Sequence, residues 1–116
     1  MNNQVRKLLF DILESGRSIR NWCQHRTFAE YEADRQLRRA VEREFEIIGE
    51  ALNRLQHTDP VTAAHIDQLP RIVGFHNRII HGYDTVDDAM VWGIIDRYLP
   101  ELIAQVEMLL QEPDTG

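Results

Sequence analysis

One run of apolar residues constrains the chain more than any other feature. Leu37, Val41, Phe45, Ile48, Leu52 and Leu55 recur at intervals of three and four residues, the spacing of one face of an α-helix and not of a strand. A stripe of about five turns must be buried against other helices, because a lone amphipathic helix leaves it in water. Asp34 can cap the start of this helix, or the helix begins earlier, near Thr27. Gly49 falls inside it and costs about 1 kcal/mol relative to alanine. A glycine retained there implies that another backbone comes close.

The rest of the chain follows the same period. Val5, Leu8, Leu9, Ile12, Ile19 and Cys23, with Gly16 on the same stripe, predict a helix from about Asn3 to about His25. His57-Thr58-Asp59-Pro60 is a break followed by a new start, since aspartate caps and proline suits the first helical position. The piece to Ile66 is short, and Leu69-Pro70 breaks the chain again. A helix from about Arg71 to His81 carries Ile72, Phe75 and Ile79 on one face, with Gly82 at its C-terminal cap. Val86-Asp87-Asp88 opens a last helix bearing Val91, Ile94, Ile95, Tyr98, Leu102, Val106 and Leu109, kinked at Pro100. No alternating strand pattern occurs. The expectation is an all-α antiparallel bundle of about four to five helices. It forms one domain over residues 1–116, with 112–116 a frayed tail.

Composition narrows the function classes. At 116 residues the chain can bury a core without disulfides or a metal. Its single cysteine, Cys23, fits a reducing compartment, and Met1-Asn2-Asn3-Gln4 shows no leader pattern. No apolar run approaches the roughly 20 residues of a membrane span, so a cytoplasmic location is expected and no membrane partner. The net charge of −6 argues against broad nucleic-acid binding. Any contact with RNA must therefore use a focused basic patch.

The densest chemistry lies in Phe75-His76-Asn77-Arg78-Ile79-Ile80-His81-Gly82-Tyr83. Asn77, Arg78 and His81 share a helical face, whereas His76 is turned about 140° from His81. The two histidines do not point the same way on one chain but can converge across a two-fold axis between copies. RNA cleavage by a ribose 2′-hydroxyl needs proton transfer, which histidine performs near neutral pH. It also needs charge stabilisation, which arginine supplies. No cofactor is required. The plainer reading of Arg78 and His81 is an ordinary solvated helix face.

The stretch Asn77 to Tyr83, with Asp84 and Asp87 following, resembles the signature of the HepT-like HEPN toxins. The segment Arg39 to Ala51 is similar to that family's second-helix signature, and Leu69-Pro70 through Phe75 to its lead-in. The likeness runs from about residue 4 to about residue 110. It implies a homodimeric helical bundle that cuts RNA without a metal, and a minimal nucleotidyltransferase antitoxin as partner. That partner would transfer AMP to the tyrosine two residues beyond the motif histidine. Carried onto this chain, the histidine is His81, the polar residue Asn77 and the modified tyrosine Tyr83. The family's arginine falls at position 76, where this chain has His76. Three readings follow. The chain is a weakened or inactive variant, or Arg78 supplies the guanidinium, or His76 itself acts as cation or proton-transfer group. Histidine lacks arginine's permanent charge and planar fork. The rival from another class is a non-catalytic dimeric module that docks on a nucleotidyltransferase.

Other residues have bland explanations. Arg35, Arg39 and Arg43 form a row that can guide RNA or an acidic partner, or simply pair with Glu42, Glu44 and Glu46. Glu50 is expected to bond a helix end or a motif residue. Trp22 and Trp92 are expected in the core or a dimer interface rather than stacking on bases. His25, His57 and His65 lack metal-ligand spacing with Cys23 or one another. Asp87 or Asp88 is expected to cap the last helix.

Overall fold

The computed structural model describes residues 1–81 and 87–112, and these form helices joined by short connections, with no strand among them. The elements are α1 (Asn3–Cys23), α2 (Phe28–Ala33), α3 (Arg35–Thr58), α4 (Pro60–Ala63), α5 (Leu69–His81), α6 (Asp88–Arg97) and α7 (Leu99–Gln111). The expected all-helical bundle is present. The seven helices among the described residues exceed the expected four to five because two are short, α2 and α4, and because the last helix is divided. Backbone pairing stops at Tyr98, and Pro100 opens α7 within its first turn, so the expected kink is a junction between two helices. Pro70 likewise lies in the first turn of α5 instead of ending the chain before it, a position where its missing N–H is no loss. At the end of α1, His25 takes a left-handed conformation with φ 69°, and the helix stops at Cys23.

Polar side chains set the boundaries. The Asn2 carboxamide accepts from Val5 N at 2.8 Å, and Asp34 accepts from Leu37 N at 3.0 Å. Thr27 and Glu30 satisfy each other's backbone N–H in a capping box that starts α2. Asp59 accepts from Thr62 N and Thr62 Oγ1, bonds that hold its carboxyl below the usual range. Asp87 caps α6 through Ala89 N at 2.8 Å, as expected.

α3 lies at the centre, packed on α1 and α5, with α7 on the far side of α1. α1 and α3 run antiparallel. Ser15 Oγ of α1 donates to Glu44 Oε2 of α3, while Leu8 and Asp11 lie beside Glu50 and Arg54. All six residues of the α3 stripe are buried, with Phe45 edge-on to Phe75 of α5 at 5.2 Å. Ile72, Phe75 and Ile79 seat α5 on α3. Among the described residues no helix is long and apolar enough to cross a membrane.

Candidate functional site

The burial of Ile72, Phe75 and Ile79 decides what α5 shows to solvent. Asn77, Arg78, Ile80 and His81 are all exposed near its C-terminal end. Asn77, Arg78 and His81 are thus together on the outward side, as their spacing predicts. No hydrogen bond joins them to one another among the described residues. Arg78 Nη1 lies 3.2 Å from the Met90 sulfur, which holds the arginine against α6. Arg78 and His81 both occupy the last turn, where carbonyl ends favour cations. Tyr83, with Gly82 and Asp84, lies outside the described residues.

His76 behaves differently. It is half-buried, and its Nδ1 is buried with no hydrogen-bond partner. The reason is Gly49. A Cβ built there would stand 2.2 Å from both Cβ and Cγ of His76. The expected close approach at Gly49 is therefore the root of the residue 76 side chain. His76 faces α3 and not the exposed end of α5.

Next to this end, polar groups gather where α2, α3 and α6 meet. Arg38 Nε lies 3.8 Å from Asp88 Oδ2 and thereby links α3 to the first turn of α6. Arg38 also donates to the Glu32 carbonyl. Burial pushes the Glu42 carboxyl above the usual carboxylate range, with Asp88 adding to the rise and Arg39 opposing it. Tyr31 is fully buried, and its hydroxyl is without a partner among the described residues. Burial drives its phenol far up, with Glu42 and Asp88 adding to it. Its ring packs 5.3 Å from Trp92, which also meets Phe28 at 6.3 Å. Trp92 thus joins a small aromatic cluster, whereas Trp22 is 38% exposed.

Several expectations change in detail. Glu50 does not reach a helix end or a motif residue: its carboxylate points outward and accepts from Arg54 Nη2 at 2.8 Å, one turn along α3. The arginine row takes its bland form at two of three positions, with Arg39 near Glu42 and Arg43 near Glu46, while Glu44 accepts from Ser15 instead. Tyr31 and Arg38 were not singled out from the sequence. A tyrosine outside any long stripe gives no sign that a neighbouring helix will cover it.

Residues 12–109 match the family model described as Ribonuclease HepT-like. The chain belongs to that family. The matched span contains the whole of α3 and α5, and with them both Gly49 and His81. This HepT-like chain is 27% identical over 113 residues to a candidate RNase of Methanocaldococcus jannaschii, MJ0127, covering 93% of this chain and 88% of that one. A second candidate RNase of the same archaeon, MJ1380, is 29% identical over 90% of this chain and 95% of its own length. A candidate RNase of Caldanaerobacter subterraneus, TTE0752, is 33% identical over 74% of this chain and 76% of its own. No solved structure matches the chain at a comparable level.

Proposed function

We propose that the protein is the toxin of a HEPN toxin–antitoxin pair, a metal-independent endoribonuclease acting in the cytoplasm as a homodimer. The observation that carries this reading is the end of α5. On a chain of a ribonuclease family, His81, Asn77 and Arg78 stand exposed together, and none is spent on an ion pair within the described residues.

Two copies of α5 meet so that two imidazoles flank one ribose–phosphate linkage. One His81 takes the proton from the 2′-hydroxyl as its oxygen attacks the adjacent phosphorus. The other gives a proton to the departing 5′-oxygen. The products are a 2′,3′-cyclic phosphate and a free 5′-hydroxyl, so protons and bonds balance. Asn77 orients the phosphate or the imidazole. Arg78, permanently charged, offsets the charge that builds on the phosphoryl oxygens. His76 is not the cation in this account, because its ring is held against α3 at Gly49.

Tyr83 is the control point. A nucleotidyltransferase antitoxin joins the Tyr83 oxygen to the α-phosphorus of ATP and releases pyrophosphate. The added AMP puts a bulky anion near His81, which blocks RNA and cancels local positive charge. The test is incubation with the nucleotidyltransferase encoded next to this gene and ATP. Intact mass should rise by whole AMP units, Tyr83→Phe should show no gain, and cleavage of single-stranded RNA should stop as mass is gained. An unchanged mass, or cleavage undiminished after modification, contradicts the control scheme.

The seated His76 favours one rival, a dimeric partner of the nucleotidyltransferase with no catalysis of its own. That reading requires a stable complex with the neighbour and no RNA cleavage even by His76→Arg.

A further inference from the structure

A cleft of about 600 Å3 separates α5 from α6. It exists because α5 packs on α3, while α6 packs on α7 and α2. Its walls carry Arg71, Arg78 and Arg97, the rings of Trp92 and Tyr98, and one carboxylate, Asp96. We propose that this cleft binds single-stranded RNA, with the three arginines holding phosphates and Tyr98 and Trp92 offering ring surface to bases, and so leads a strand along α5 to His81. The inference rests on the RNA-cleaving reading of the α5 end.

Charge is the first support. The chain carries a net −6, and seven of its 13 lysines and arginines pair with carboxylates among the described residues. All three cleft arginines stand outside that set. Asp96 shares the cleft but forms no ion pair with them among the described residues, and the acids one turn from Arg71 and Arg97 are engaged by glutamines. Asp67, one turn before Arg71, accepts from Gln105 Nε2 at 2.9 Å and gives its backbone N–H to Gln105 Oε1. Glu101, one turn after Arg97, accepts from Gln68 Nε2 at 2.6 Å. Arg78 has no acid three or four residues away in either direction. Among the described residues, three of the six cations without a carboxylate partner therefore line one cleft, as sequence-independent phosphate binding requires.

Geometry is the second. The Arg71 guanidinium carbon lies 4.1 Å over the Tyr98 ring, a contact that orders the fork while leaving its N–H groups for an anion. Arg71, Arg78 and His81 fall within an arc of about 80° on α5, and Arg71 to His81 spans about 15 Å. Basic side chains interleaved with aromatic faces are the pattern that grips single strands without reading sequence.

Two glycines are the third. Gly74, on α5 between Arg71 and Arg78, and Gly93, in the cleft wall on α6, have nothing within 4 Å of an added Cβ. Neither has a positive φ. Glycine inside a helix costs stability relative to alanine, and packing among the described residues does not account for either one. Gly93 keeps backbone bare in the cleft wall, and Gly74 does so on the exposed side of α5 beside it. A second copy is a poor occupant of the Arg71–Arg97 end of the cleft, since an isologous contact centred there would set those two arginines against their own counterparts.

The test is anisotropy of a fluorescein-labelled 12-nucleotide single-stranded RNA with the His81→Ala protein, which removes cleavage from the readout. The single strand should bind in preference to a duplex of the same sequence. Arg71→Gln and Arg97→Gln should each weaken binding about tenfold and reduce the slope of log K against log salt by roughly 0.7. Gly93→Ala should raise the melting temperature yet weaken binding, a combination that a purely structural role does not produce. Binding and slopes equal to the parent overturn the proposal, as does the absence of RNA binding. Conversion of a dimer to a monomer by Arg71→Gln in sedimentation also overturns it, by making the cleft a protein interface. Cleavage separates the two claims. If Arg71→Gln binds and cleaves like the parent while His81→Ala does not cleave, the cleft fails and the ribonuclease reading stands. If the parent binds RNA through these arginines but never cleaves it, the cleft stands and the ribonuclease reading fails.

Discussion

Gly49 and His76 approach so closely that a Cβ on the glycine would stand 2.2 Å from the Cβ of the histidine. Neither atom lies at the end of a flexible chain, so only movement of α3 or α5 relieves the overlap. Gly49→Ala should destabilise the protein by about 1–3 kcal/mol despite the gain in helix propensity. Gly16 is a milder case, since Ile103 Cγ1 lies 3.1 Å from its added Cβ and can shift. Urea unfolding of both variants should place Gly49→Ala well below Gly16→Ala, and equal midpoints would contradict the close approach.

An arginine at position 76 would leave the helix from the same Cβ beside Gly49, but its longer chain can carry a guanidinium past the contact to the surface. His76→Arg should therefore fold normally and raise RNA cleavage. Arg78→Ala should lower cleavage on the order of a hundredfold, the usual scale for removing one group that stabilises transition-state charge. Initial rates on a labelled RNA report both. Unchanged cleavage in Arg78→Ala removes that residue from the mechanism.

Burial raises the Glu42 carboxyl above the ordinary range. At neutral pH the carboxylate is charged in both the folded and unfolded chain, and burying that charge costs native stability. As pH falls, the native state takes up the proton first and the cost disappears. Glu42→Gln should thus be more stable than the parent at pH 7, with the difference closing as pH drops into the usual carboxylate range. The comparison must be between the two proteins, because Glu30 and Asp59, both held below the usual range by Thr27 and Thr62, lose stability in the opposite sense on acidification. A difference that is constant from pH 7 to pH 4 would refute the burial cost.

The Tyr31 hydroxyl is buried with no partner among the described residues, so it bears a desolvation cost with no compensating bond. Tyr31→Phe keeps the ring contact with Trp92 and should be neutral or stabilising by up to about 1 kcal/mol. A clear loss of stability on thermal unfolding would mean that the hydroxyl is bonded after all.

The long elements were legible because their apolar stripes are long. Six positions on α3 and the Val5-to-Cys23 stripe of α1 admit one period only, and both helices are where the sequence puts them. Short elements depend on less. α2 rests on one capping box and a single buried residue, Tyr31, so the sequence offered only a choice of start between Thr27 and Asp34. Prolines misled in two ways, since Pro70 and Pro100 each sit inside a first turn, where the ring is tolerated. At the site, spacing along α5 was enough to group Asn77, Arg78 and His81. It did not reveal that His76 lies against Gly49, because that depends on how far two helices slide together. The freedom of Arg71 and Arg97 was equally hidden, since it depends on Gln105 and Gln68 engaging the acids one turn away.

The central claim is that His81 moves the proton in a metal-independent RNA cut. Its most direct test is cleavage of single-stranded RNA by the purified protein in excess chelator, beside His81→Ala, with product ends identified by mass. The parent should give 2′,3′-cyclic phosphate ends and His81→Ala at least a hundredfold less product, a loss on the scale of removing an acid–base group. Equal cleavage by the two proteins, or cleavage that the chelator abolishes, would contradict it.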